Sequence, residues 1–167
     1  KSLKTLLDSF KKLRENNNKK IILIIVGSGP LKFQLKNYSK NIGIESSVIW
    51  IDYIEDVSLF YQSIDVFCLS SLYEGLGLVL LEAMTHKKPI ISSNVSAIPE
   101  IVTNKQNGLL FKVKDSQLMF EAMEKLFNKK IRNKYGLNGF EKIKTKFTTQ
   151  KTFEETDKIY KSLFSKI

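Results

Sequence analysis

The stretch "DVFCLSSLYEGLGLVLLEAM", residues 65–84, reads as strand, loop and helix in immediate succession. "DVFCL" is short, apolar and β-prone, "SSLYEG" is polar and ends in glycine, and "GLGLVLLEAM" holds the Leu, Ala and Met that sustain a helix. Glu74 falls in the loop and Glu82 inside the helix, with seven residues between them, nearly all small or apolar. Leu78, Val79, Leu80, Leu81, Ala83 and Met84 leave Glu82 no obvious wet face. A carboxylate unpaired in such surroundings costs on the order of several kcal/mol. Either a ligand rich in hydroxyls satisfies it, or Lys87 or Lys88 pairs with it, or the helix is half exposed with Glu82 at its edge.

The same alternation repeats outward from this unit. Upstream, "KSLKTLLDSFKK" places Leu3, Leu6, Leu7, Phe10 and Leu13 on one helical face, and "NNNKK" connects it to "IILIIV" at 21–26. A run that is apolar at every position suits a parallel strand covered on both faces. "GSGP" at 27–30 then turns into a helix bearing Leu31, Leu35 and Tyr38. "SVIWI" at 47–51 is a second strand, followed by Asp56 and a short helix with Leu59 and Phe60. Downstream, "PIISS" at 89–93 and "GLLF" at 108–111 are the fourth and fifth strands. Asp115 caps a helix with Leu118, Met119, Ala122, Met123, Leu126 and Phe127. Five strand–helix alternations predict a doubly wound, mostly parallel Rossmann-like α/β sheet in one domain over 1–167, with a helical tail from about 129. Phe153, Ile159, Tyr160, Leu163 and Phe164 are the apolar positions of its last helix.

Composition narrows the function classes. Lys and Arg total 27 against 17 Asp and Glu, giving a net charge of +10. Much of the excess lies beyond residue 130, where only Glu141, Glu154, Glu155 and Asp157 oppose it. That tail reads as a solvated surface or a face for an anionic membrane. It lacks the interleaved aromatics that stack bases, which argues against nucleic acid. Cys68 is the sole cysteine, so disulfide scaffolds and cysteine zinc sites are excluded and a reducing cytoplasm is the natural setting. No run approaches the roughly 20 apolar residues of a membrane span. The opening residues show no signal-peptide pattern, and a start directly in a helix is expected of a piece of something longer.

Gly27 and Gly29 sit where the first strand turns into its helix, and open backbone amides there can meet an anion. Lys32 occupies the third-glycine position of a dinucleotide fingerprint. NAD binding is therefore disfavoured, although Asp52 ends the second strand at a spacing that suits a ribose. Nor is the turn a P-loop, which needs Gly-Lys followed by Ser or Thr. Gly75 and Gly77 bracket Leu76, so backbone amides there can approach a phosphate at the start of the next helix.

Glu74 and Glu82 match the E-x7-E pattern of retaining glycosyltransferases of the GT-B fold, family 4 type. "SSLYEGLGLVLLEAMTHKKPIISSNVSAIPEIVTNKQNGLLF", "VGSGP", "VIWIDYIEDVSLFYQSIDVFCLSS" and "KSLKTLLDSF" together resemble that family's carboxyl-terminal, donor-binding domain over essentially the full chain. The resemblance implies an absent amino-terminal acceptor domain and a nucleoside diphosphate sugar donor of UDP or GDP type. It also implies transfer to an acceptor hydroxyl with retention, in cell-envelope or surface polysaccharide synthesis. Glu74 is then the contact to the transferred sugar, and Gly75, Leu76, Gly77 and Leu78 offer amides to sugar and distal phosphate. Glu82 holds the ribose, Gly27 and Gly29 lie near the phosphates, and Tyr53 and Ile54 border the base. Lys1 matches the family's phosphate-clamping lysine, and the accompanying arginine would lie upstream. No metal is expected, since the family needs none; His86, the one histidine, reads as a helix-end surface residue. The expected location is the cytoplasm, peripheral to the inner face of the membrane, against a lipid-linked acceptor. The family usually has glycine where this sequence has Asp52, Lys87, Ser96 and Ala97. Two other readings share the fold: a non-catalytic nucleotide or phosphosugar binding module, and a nucleotide-sugar epimerase half-domain.

Overall fold

The computed structural model describes residues 1–17 and 20–164; within the "NNNKK" connector Asn18 and Lys19 lie outside the described residues, as does the tail's 165–167. Helix α1 (Leu3–Glu15) leads into five strands: β1 (Leu23–Val26), β2 (Val48–Ile51), β3 (Phe67–Leu69), β4 (Ile90–Ser93) and β5 (Gly108–Phe111). Between them run α2 (Lys32–Asn41), α3 (Val57–Ser63), α4 (Leu78–Thr85) and α5 (Ile98–Ile101). Helices α6 (Ser116–Lys125), α7 (Lys129–Lys146) and α8 (Thr149–Phe164) complete the chain. All strand pairings are parallel, as the alternation requires. Asp56 and Asp115 cap α3 and α6 by accepting from the amides of Leu59 and of Gln117 and Leu118.

One apolar layer joins Leu6, Leu7, Phe10 and Leu13 of α1 to Met119 and Met123 of α6 over one face of the strands. The other joins Tyr61 of α3, Leu80, Ala83 and Met84 of α4, and Ile98 and Ile101. Helices on both faces of parallel strands make the arrangement doubly wound.

The first correction concerns the sheet. Its hydrogen bonding is divided into a β1–β2 pair and a β3–β4–β5 trio. β1 is not covered on both faces: Ile25 is buried, whereas Ile22 and Val26 are 42% and 41% exposed. Alternate residues of a strand point to opposite faces, and only the Ile25 face reaches the α1–α6 layer. β4 is the strand that fits the expectation, buried at all four positions.

The second correction concerns the basic tail. Its first half, α7, packs on α4 rather than lying in solvent. Gly136 and Gly139 make this possible: a β-carbon on Gly136 would stand 2.0 Å from the Lys87 carbonyl oxygen, and one on Gly139 3.1 Å from Met84 Cγ. Lys142 extends the contact by donating to the carbonyls of Glu100 and Ile101 and to the Thr103 hydroxyl. By contrast α8 buries nothing, and Phe153, Ile159, Tyr160, Leu163 and Phe164 are all exposed. Among the described residues no helix is long and apolar enough to cross a membrane.

Candidate functional site

The carboxyl ends of β1, β2 and β3 border a cavity of about 770 Å³ that runs along the seam between β1 and β3. Lys1, Asp52, Tyr53, Ile54, Tyr61 and Glu82 line its strand-tip part. From there it continues along the length of β1 to Lys20, Asp65 and Arg132 at the opposite ends of the strands.

Glu82 is not buried in an oily helix. Leu80, Ala83 and Met84 form the inner face of α4, while Glu82 is exposed on the outer side, facing this cavity. A helix of eight residues that is apolar almost throughout cannot bury every side, so its surplus leucines are wet: Leu78 is 61% exposed. Among the described residues no lysine or arginine pairs with Glu82, and the Tyr61 hydroxyl donates to its Oε2 at 3.0 Å. Of the three alternatives open to the sequence, pairing with Lys87 or Lys88 is thus not what the structure shows.

Glu74 is held differently. Its carboxylate accepts from the Lys1 ammonium and, at 2.6 Å, from the Ser71 hydroxyl, and its side chain is 17% exposed. Partial burial pushes the Glu74 pKa up, but Lys1 and Ser71 outweigh that and hold it below its ordinary value. The two groups assigned by resemblance to different parts of one ligand are therefore joined to each other. The Ser2 amide donating to the Ser70 carbonyl at 2.6 Å fixes the start of α1 beside them.

The glycine turn is open. Gly27 has φ +117° and donates to the Ile51 carbonyl at 2.8 Å, whereas Gly29 does not enter the positive-φ region. Nothing stands near either α-carbon where a side chain would go. Asp52, the acid that a dinucleotide would need, is engaged by Lys32, which lowers its pKa. Gly77 begins α4 at φ +70°, without a side-chain cap, so the helix presents its first amides and the positive end of its dipole towards the Glu74 loop. Gly75 and Leu76 are exposed on that loop. Glu74, the glycine turn and Gly75–Leu78 are not part of the cavity lining, whereas Glu82, Tyr53, Ile54 and Lys1 are. The structure thus gathers four of the expected residues round one cavity and leaves the others outside that lining. Burial pushes the Cys68 thiol up to about 12, which leaves it protonated at neutral pH.

Residues 1–142 match the family described as "Glycosyl transferases group 1". The chain belongs to that family. An uncharacterized glycosyltransferase of Haemophilus influenzae is 40% identical over 107 residues, 64% of this chain and 30% of its own length. The capsular polysaccharide biosynthesis glycosyltransferase CapM of Staphylococcus aureus is 31% identical over 115 residues, 68% of this chain and 30% of its own. The chain therefore spans less than half of these relatives. The crystal structure of the carboxyl-terminal domain of a group 1 glycosyl transferase, LpcC, from Francisella tularensis superposes with a TM-score of 0.79 at 27% identity. It covers 89% of this chain and 80% of that one. The architecture of this group 1 domain is accordingly that of the carboxyl-terminal half of a GT-B glycosyltransferase.

Sequence reasoning missed Tyr61 and understated His86. Tyr61 sits where α3 needs a core residue, between Val57 and Ile64, and no motif singles it out. His86 does end α4, but its ring stacks on Tyr61 at 5.2 Å, its Nδ1 lies 2.8 Å from the Glu82 carbonyl oxygen, and its Nε2 lies 3.0 Å from the Ser58 hydroxyl. Among the described residues no three His, Cys, Asp or Glu side chains form a metal-sized cluster.

Proposed function

We propose that this chain is the donor-binding half of a retaining glycosyltransferase, moving a sugar from a nucleoside diphosphate sugar to an acceptor hydroxyl in surface polysaccharide synthesis. The observation that carries the reading is Glu82: a carboxylate at the strand tips, on the cavity wall, bonded to a neutral phenol and, among the described residues, paired with no lysine or arginine. Two vicinal ribose hydroxyls suit such an acceptor, and charge-assisted bonds are the stronger kind. Tyr53 and Ile54 border the base, Tyr53 with an open ring face at 78% exposure. The Gly27–Gly29 turn and the amides of Gly75–Leu78, at the positive end of α4, receive the diphosphate and sugar. Glu74 contacts the transferred sugar from the loop, and Lys1, already beside it, moves between that carboxylate and the phosphates.

Negative charge grows on the diphosphate as the anomeric C–O bond breaks, so catalysis rests on fixed positive charge and dipoles aimed there. The acceptor, and the groups that activate it, belong to an amino-terminal domain that this chain would face across the cleft. A lipid-linked acceptor would place the whole protein on the cytoplasmic face of a membrane, with the lysines of α7 near anionic lipid. No metal and no nucleic acid take part in this reading.

Calorimetric titration with UDP, GDP, ADP and their sugars tests it. One diphosphate should bind, and Glu82→Gln should weaken it about tenfold or more, the equivalent of roughly 1.4 kcal/mol. A flat response to all of them from a folded chain overturns the proposal.

A further inference from the structure

The hydrogen bonding round Glu82 gives Tyr61 a role of its own. Tyr61 is only 3% exposed. Its ring packs against Phe60 and Phe67 at centroid distances of 5.3 and 5.7 Å and stacks on His86 at 22°. The ring cannot swing without displacing all three. Its hydroxyl faces two acceptors, Glu82 Oε2 at 3.0 Å and the Val79 carbonyl at 3.2 Å. A phenol has one proton, and the carboxylate is the stronger acceptor. Burial and the neighbouring carboxylate both raise the Tyr61 pKa, so the proton stays on the phenol.

His86 completes the mount. A carbonyl oxygen only accepts, so Nδ1 carries the hydrogen towards the Glu82 carbonyl, and Nε2 shares a hydrogen bond with the Ser58 hydroxyl. The imidazole is thereby tied to both α4 and α3, and the ring stacked on it is fixed between them. Glu82 itself is an exposed side chain with several rotatable bonds, which would otherwise sample many orientations. Oε2 is anchored to an immobile donor, while Oε1 has no protein partner among the described residues.

We infer that Tyr61 is a positioning residue for the donor nucleotide: from a rigid ring it holds Oε2 of Glu82 and so aims Oε1 at the ribose hydroxyls. This rests on the reading of Glu82 as the ribose contact. Without the phenol the carboxylate keeps its place on the cavity wall but loses its orientation. The ligand must then freeze a mobile side chain, which weakens binding and blurs the distinction between ribose and deoxyribose.

The test is a double-mutant cycle of Tyr61→Phe and Glu82→Gln, read by calorimetry with UDP, GDP and their 2′-deoxy and 3′-deoxy forms. Phe keeps the ring contacts, and an unchanged unfolding temperature verifies that the fold is intact. Tyr61→Phe should weaken the ribonucleotide about five- to tenfold. It should reduce the preference for ribose over deoxyribose, and it should add less than about twofold when Glu82 is already Gln, since coupled residues are non-additive. A Tyr61→Phe variant that retains the wild-type ribose preference overturns the inference. So does one that weakens binding equally in both backgrounds, which is what loosened packing would do. If the wild type binds no diphosphate, or Glu82→Gln binds as the wild type does, the functional reading fails first and takes Tyr61 with it. Loss at Glu82 with silence at Tyr61 sinks only the positioning role.

Discussion

The two parts of the sheet are made from similar residues and end in different states. β4, "IISS", is buried at every position between α4, α6 and its neighbouring strands. β1, "LIIV", has a single buried residue and borders the cavity. The trio is braced from outside by α7, whose two glycines let it sit directly on α4. The pair carries the glycine turn, Tyr53 and Ile54 on a less covered base. Candidate ligand groups are therefore divided: Glu74, Glu82 and the Gly75–Leu78 amides are mounted on the firm part, and the Gly27–Gly29 turn, Tyr53 and Ile54 on the looser one. Binding sites often combine a rigid scaffold with regions of lower local stability.

Paired core truncations put the largest strain on this contrast. Ile90→Ala, at a position with no exposure, should cost about 3–4 kcal/mol, against about 1 kcal/mol for half-buried Ile24→Ala. Equal losses in urea unfolding would show that the parts are equally packed. Next comes the brace: Gly136→Ala drives a β-carbon into the Lys87 carbonyl and should cost about 2–3 kcal/mol. Gly139→Ala meets only the flexible Met84 side chain and should cost under about 1 kcal/mol. The Lys1–Glu74 contact should contribute about 1 kcal/mol at neutral pH, measured as the loss in Glu74→Gln. Because the folded pKa of Glu74 is lowered, that contribution is present above its ordinary value of 4.5 and fades as pH falls through the folded value. A difference between the two proteins that grew on acidification would contradict the assignment. Smallest is Ser96→Gly: Ser96 has φ +48°, a left-handed backbone that glycine adopts without strain. The variant should gain about 0.5 kcal/mol, seen as a slightly higher unfolding temperature.

Periodicity and turn chemistry made the elements legible. Leu6, Leu7, Phe10 and Leu13 announced the buried face of α1, and Asp115 the start of α6. The motif spacing also located the strand-tip loop and α4. What remained hidden depended on partners distant in sequence. "IILIIV" reads the same whether one face or two are covered, and the seam beside β1 has no signature of its own. Glu82 looked trapped because Leu78, Val79 and Leu81 surround it in sequence; only the side on which α4 docks decides which of them is dry. The glycines at 136 and 139 weaken a helix in isolation, and their use as a contact surface appears only when Lys87 lies opposite. Of the four positions where glycine was expected, Lys87 and Ser96 do adopt left-handed backbone, whereas Asp52 and Ala97 do not.

The meeting of the Gly136 α-carbon with the Lys87 carbonyl makes α4 a cantilever. Its far end is clamped, with the amide of Lys88 donating to the Ala83 carbonyl and that of Lys87 to the Met84 carbonyl, and with α7 seated against the turn. The other end starts at the left-handed Gly77 beside the Glu74 loop, so the two acids differ in mounting: Glu82 sits in the last turn, next to the clamp, and Glu74 next to the hinge.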